Sequence, residues 1–235
     1  MQPVGPYPCP VLLLALDTAT SAVTVALHDG ERIVAEDSLV DARRHAETLT
    51  PMIASVVATA GRRPADLTGV AVGVGPGPFT GLRVGLATAV TLGLTLDIPV
   101  HGVCSLDALA HAAAGAGDGP SDFVVATDAR RKEVYWARYR FSAGMTQRIS
   151  GMPQVSRPAE LPEEIRALPA AGRGPVLYPD CFAGALEPLD VPAGALASYT
   201  VAELVRGHEL LPASPLYLRQ PDAKPSAGTK SVLPR

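Results

Sequence analysis

The chain is short of cysteine, of paired histidines and of net charge, and each shortage removes a class of protein. Cysteines number 3 (Cys9, Cys104 and Cys181) with no CxxC pair, which leaves no disulfide framework and fits unpaired thiols in a reducing cytoplasm. The histidines His28, His45, His101, His111 and His208 show neither HxxxH nor HExxH spacing. No helix face therefore offers two imidazoles to one ion, and no metal site is expected. A net charge of −3 denies the chain the overall field of an autonomous nucleic-acid binder. The start is rich in proline and has no basic residue, unlike a signal or transit peptide, and no apolar run is read as reaching a membrane span. A cytoplasmic protein without membrane attachment is expected.

What remains is ordinary globular composition, with 47% hydrophobic and 18% charged among 235 residues, enough for one large or two small domains. Val11-Leu-Leu-Leu-Ala-Leu16 reads as a strand buried on both faces and closed by Asp17-Thr-Ala-Thr-Ser21. Val23–Leu27 alternates like a half-buried strand, His28-Asp-Gly30 turns, and Arg32–Leu39 gives a third strand. A helix over 42–60 follows, with a kink or restart at Pro51 capped by Thr50. Then come a strand over 70–74, a long helix to Leu96, a strand over 99–103 and a helix from Ser105 to Ala114 capped by Ser105.

The stretch Gly69–Leu96 is the most telling. Its strand breaks into Gly75-Pro-Gly-Pro-Phe-Thr80, and the helix after it carries Gly81, Gly85, Ala89 and Gly93 four residues apart, one ridge with almost no side-chain height. Helical glycine costs on the order of 1 kcal/mol relative to alanine, so the ridge implies close packing of another element. A phosphate loop is disfavoured. The segment ends Thr80-Gly81-Leu82-Arg83 without the Walker lysine, lacks the third glycine of GxGxxG, and loses two amide donors to Pro76 and Pro78.

The second part repeats the first. After a linker-like Gly115–Ser121, Phe123–Asp128 is again an apolar strand ending in aspartate and Val134–Tyr139 a return strand, at an offset of 111 residues. Two related halves facing each other across a cleft are expected. Beyond about Ser142 the pattern weakens: strands near Val155 and 175–178, helices near 162–168, 183–186 and 200–206, and a mobile tail. Asp17 and Asp128 would face the cleft, where two carboxylates can hold a magnesium nucleotide or serve as base, or merely close a turn. Neither is followed by the glycine that wraps phosphate. His45 and Glu47 lie two apart and so point to different helix faces. Arg130, Arg131 and Lys132 place three positive charges on one turn. A peptidase would need a nucleophile with a base or a metal pair, and neither has recognisable spacing. A small-molecule kinase rests on architecture alone.

Leu14-Ala-Leu-Asp-Thr-Ala-Thr20, Arg44-His-Ala-Glu47 with Pro51-Met, Gly75-Pro-Gly-Pro-Phe-Thr-Gly-Leu-Arg83, Asp128-Ala-Arg-Arg-Lys-Glu-Val-Tyr-Trp136 and Pro215-Leu-Tyr-Leu-Arg219 together resemble the bacterial TsaB family of tRNA threonylcarbamoyladenosine biosynthesis proteins. The resemblance covers about residues 11–220. It implies an actin-like (ASKHA, ribonuclease H-like) α/β fold of duplicated subdomains with mixed sheets flanked by helices, divided as 1–10 leader, 11–103, 104–220 and 221–235 tail. It implies a subunit without a catalytic site, metal or cofactor of its own, partnered by a metal-bearing TsaD-like paralogue and a TsaE-like ATPase. It also implies tRNA bound through the complex, a homodimer when alone, and room for ATP or ADP at the complex interface. The implied partner interface is His45, Glu47, Gly81, Leu82, Gly85, Leu86, Ala89, Val90 and Gly93. Asp17, Thr18, Asp128 and Arg130 lie on the implied nucleotide or partner side of the cleft.

Overall fold

The computed structural model describes residues 11–41, 44–115 and 120–219; the expected leader and tail lie outside them. The first half runs β1 (Leu13–Asp17), β2 (Ala22–His28), β3 (Ile33–Val40), α1 (His45–Thr59), β4 (Gly69–Gly75), α2 (Phe79–Leu96), β5 (Val100–Cys104) and α3 (Ser105–Gly115). The second runs β6 (Asp122–Asp128), β7 (Val134–Ser142), β8 (Met145–Arg148), β9 (Gln154–Ser156), α4 (Glu163–Arg166), β10 (Ala170–Ala171), α5 (Gly174–Leu177), β11 (Ala185–Leu186) and α6 (Ala193–Val205).

The two sheets have one topology. The first is ordered β3-β2-β1-β4-β5 and the second β8-β7-β6-β10-β11, with β9 added beside β7. In each, the first three strands form an antiparallel meander and the last two join in parallel. The halves differ at the acidic corner: Asp17 pairs with Thr24 but Asp128 with Val134, so the first turn is one residue longer. They differ more in their helices, since α4 and α5 are single turns where α1 and α2 are long.

Residue alternation sorts the core into layers. On β1, Leu14 and Leu16 face outward to α1 and α2, while Leu13 and Ala15 face inward to the middle layer. That middle layer is α3 and α6, packed together between the sheets. The last helix of each half also rests on the other half's sheet: α3 on β6, β7 and β8, and α6 on β1, β2 and β3. Thr24 Oγ1 donates to the Val191 carbonyl at 2.9 Å, and Gly194 N–H donates to Glu36 at 2.9 Å, locking α6 to the first sheet. Hence β2 is buried along its whole length instead of half-buried. Alternation does not reveal that a helix more than 160 residues away covers the second face.

Several expected elements change. Helix α1 runs through Pro51 without a restart, because Pro51 lies on its exposed side, where the freed carbonyl meets water. The segment near 175–178 is a helical turn, the one near 183–186 contains a strand, and α6 begins at Ala193, well before the expected 200. The first two pieces, of four and two residues, are too short for periodicity to sort them. By length and composition α2 does match a membrane span, with a hydropathy of 1.4 over 18 residues. One face of that helix is packed against the chain's own sheet.

The glycine ridge explains that packing. A Cβ on Gly81 would strike the Thr18 carbonyl, one on Gly85 the Thr18 hydroxyl, and one on Gly93 the Val100 side chain. The ridge faces β1, its turn and β5. Gly85→Leu is therefore expected to lower the unfolding free energy of the isolated chain by about 1–3 kcal/mol, as overpacking does, measured as a lower urea midpoint at unchanged slope.

Candidate functional site

Asp17 closes β1 and is fully buried. Its Oδ2 accepts the Ser105 hydroxyl at 2.6 Å and its Oδ1 accepts the Ala19 N–H at 2.8 Å. Gly73 leaves the space that the carboxylate occupies, since a Cβ there would overlap Oδ2. Burial raises the Asp17 pKa to about 6, against the opposing pull of those two hydrogen bonds and with a further push from Asp190. Ser105, expected as a helix cap, instead accepts the Gly75 N–H at 3.2 Å and donates its hydroxyl hydrogen bond to Asp17. This chain of bonds ties the β1 corner to the Gly75-Pro-Gly loop.

Thr18 continues the same corner. Its hydroxyl donates to the Gly81 carbonyl at 2.8 Å and accepts the Gly85 N–H at 3.1 Å, stapling the turn to α2. Asp128 closes β6 and turns back on its own loop: it accepts the Arg130 N–H at 2.7 Å and pairs with the Arg130 guanidinium at 3.0 Å. Arg130, Arg131 and Lys132 all have left-handed backbone, with φ of 61°, 55° and 63°, a conformation costing roughly 1–2 kcal/mol for each such residue. Ala129 N–H to Glu133 (3.0 Å) and Glu133 N–H to Arg130 (2.9 Å) hold the loop. Arg219 pairs with Glu133 beneath it.

The two acidic corners meet in a cleft that is nearly closed. Asp190 takes the Arg173 guanidinium at 2.9 Å and the Ser21 N–H at 3.1 Å, so a second-half ion pair clasps the first-half turn. The remaining space beside Ser21, Asp128, Arg173 and Asp190 is about 10 Å³, about the size of one water. Asp17 is thus a buried structural group that lines no cavity, whereas Asp128 and Arg130 reach the rim of this space and Thr18, though buried, borders with Arg130 a neighbouring cavity of about 280 Å³. Arg173 and Asp190 have no local signal in the sequence, and Ser105 reads there only as a helix cap, because these pairings are set by the tertiary fold.

The expected partner residues also need correction. Of the nine, only Glu47 and Val90 are exposed. Gly81, Leu82, Gly85, Leu86, Ala89 and Gly93 lie against the chain's own β1, β4 and β5, because the strands need a helix without side-chain height. His45 is 8% exposed, with Nε2 at 3.3 Å from the Thr20 carbonyl. Glu47 pairs with Arg44 at 3.2 Å. The open surface lies on the opposite side of the same helices. On α2 it carries Arg83, Ala87, Val90 and Leu94, and on α1 Ala46, Thr50, Ala54 and Ala58. Leu94 is 80% exposed and Val90 37%.

Two sheets of identical strand order with the closing helices sandwiched between them define a duplicated actin-like α/β protein. The family model described as "TsaD: tRNA N6-adenosine threonylcarbamoyltransferase" matches residues 34–172. An uncharacterized protein of Mycobacterium tuberculosis is 44% identical over 92% of this chain and 95% of its own length. The tRNA threonylcarbamoyladenosine biosynthesis protein TsaB of Escherichia coli is 38% identical over 128 residues, 54% of each chain. The crystal structure titled "YeaZ from Pseudomonas aeruginosa" superposes with a TM-score of 0.77 at 31% identity, covering 88% of this chain and 100% of that one. The chain belongs to the TsaB (YeaZ-like) family.

The buried Asp17 sets a pH dependence. Its folded pKa of about 6 lies above the unfolded 3.8, so its contribution is most favourable below about pH 4 and is lost as pH rises through 6. Across that window the stability of Asp17→Asn is expected to rise relative to wild type by roughly 3 kcal/mol at most, read from paired urea titrations at pH 4 and pH 7. A constant difference between the two proteins counts against the assignment.

Proposed function

We propose that this chain is a subunit for tRNA threonylcarbamoyladenosine biosynthesis that docks a catalytic partner and performs no transfer itself. The observation that carries the reading is the outer face of α1 and α2, where small side chains at four-residue steps (Ala46, Thr50, Ala54, Ala58) lie beside the exposed Ala87, Val90 and Leu94. Such a low apolar surface suits the close approach of another helix pair. Its partner is a TsaD-like paralogue bearing the metal, or a second copy of this chain when that paralogue is absent. A TsaE-like ATPase joins them, tRNA is engaged through the complex, and ATP or ADP lies at an interface of the assembly.

The interior chemistry supports a non-catalytic role. Asp17 is enclosed, and the gap beside Asp128, Arg173 and Asp190 is far below what a nucleotide needs. Cys104, a conceivable peptidase nucleophile, is buried with its thiol pushed up to about 12 by desolvation, the reverse of activation. Among the described residues no group of three His, Cys, Asp or Glu is placed to hold a metal ion.

The test is association with the purified TsaD-like subunit by sedimentation. Ala87→Trp and Ala54→Arg, both at exposed positions, are expected to weaken the complex at least about tenfold, near 1.4 kcal/mol, with circular dichroism and urea midpoint unchanged. Undiminished association by both variants would overturn the docking face.

A further inference from the structure

A cavity of about 410 Å³ opens between the first turn of α3, the end of α6 and the β7–β8 hairpin. No residue of the acidic corners, of α1 or of α2 lines it, and its size falls within the range of small-molecule sites. Charge of both signs converges on it. Tyr139 donates to Asp107 Oδ1 at 2.7 Å, and the Arg148 guanidinium meets the same oxygen at 3.3 Å. A second group comes from α6 and the residues just after it, where Glu203 takes Arg206 at 2.7 Å on one carboxylate oxygen and His208 at 2.8 Å on the other. The side chains of Asp107, Glu203 and Arg148 are only 15%, 18% and 23% exposed. None of them takes part in the Asp17 network or in the proposed docking face.

The two groups are not fully satisfied by their own pairings. Burial holds the Asp107 carboxyl above the usual carboxylate range, outweighing the opposing pull of Arg148 and Tyr139. A further cation beside it would therefore be stabilising. Tyr199 also lines the cavity, and burial together with the nearby Asp107 and Glu203 carboxylates pushes its phenol well above its ordinary value. Its ring packs edge-on to His111 with centroids 5.8 Å apart, yet among the described residues no hydrogen bond engages its hydroxyl. At the rim, Arg206 spends Nη1 on Glu203, and a guanidinium has further donors to offer. A simple anion entering here would meet Asp107 and Glu203, and a simple cation would meet Arg148, Arg206 and His208. Only a ligand carrying both charges suits every wall.

We infer that this cavity binds a free α-amino acid, with its ammonium group on the Asp107 carboxylate and the Tyr199 hydroxyl, and its carboxylate on Arg206 and His208 at the rim. The remaining wall includes Ser142, Thr146 and Gln147, whose hydroxyl and amide groups suit a side chain that is polar and uncharged. The site does not rest on the docking reading, because it belongs to this chain alone and neither α1 nor α2 reaches it.

The experiment titrates the purified full chain, without partner, with L-glutamine and L-serine and with the α-methyl ester and N-acetyl derivative of each, by calorimetry and by thermal shift. Saturable binding of the free amino acids is expected, at least tenfold weaker for either derivative, since each derivative removes one charge. Arg206→Met is expected to weaken binding at least tenfold. Tyr199→Phe is expected to weaken it without lowering the melting temperature of the unliganded chain, since that hydroxyl has no hydrogen bond to lose. Backbone amide shifts on binding are expected at residues 142–148 and 199–208. An ester or acetyl derivative that binds as tightly as its parent would overturn the amino-acid assignment. Neither heat nor thermal shift with both amino acids, or binding unchanged in both variants, would overturn the site. Each of these results leaves the association test untouched, so the two readings fail separately.

Discussion

The contact between Thr18 and the first turns of α2 governs the geometry of the first half. Gly81 and Gly85 have no side chains, so the Thr18 hydroxyl reaches the helix backbone, donating to one turn and accepting from the next. Any larger residue at either position would push the helix off the strand. With α2 seated, the low ridge is spent on β1, its turn and β5, and Ala87, Val90 and Leu94 turn outward. The same seating brings the α2 N-terminus beside that of α1, where Thr20 and His45 meet.

The halves are held by exchange as much as by contact. Each contributes its last helix to the other's sheet, and α3 and α6 form one apolar layer that neither half completes alone. Polar clasps close the rim, with Asp190 bridging Arg173 and the Ser21 amide, while the segment up to Arg219 crosses both halves. Along that segment Leu216 N–H donates to the Val74 carbonyl at 2.8 Å, Tyr217 stacks on Phe79 with centroids 5.4 Å apart, and Arg219 reaches the second-half loop. A hinged cleft needs halves that separate cheaply; here separation would expose a shared core and break the clasp.

Much of the fold was legible because its signals are local. The continuous apolar runs of β1 and β6, the aspartate ending each, and the glycine-proline break before α2 mark the same elements in the structure. The strand Ala170–Ala171 and the turn Gly174–Leu177 were not legible, since segments of two to four residues carry no period. The candidate site was half legible. Asp17, Thr18 and the ridge were singled out for their residue types, but their environment depends on Ser105, which lies 88 residues along the chain from Asp17.

By itself the sequence determined which residues share a face and which family the chain resembles, because side-chain period and motif spacing are properties of the chain alone. Only the tertiary structure decided what each face meets. The ridge of Gly81, Gly85, Ala89 and Gly93 could equally have received a neighbour or the chain's own strands; it receives the strands. Asp17 could have stood at a solvent cleft; it is enclosed and carries a raised pKa. A period specifies direction around a helix or strand, whereas burial and charge state depend on groups from distant segments that fill the space in that direction.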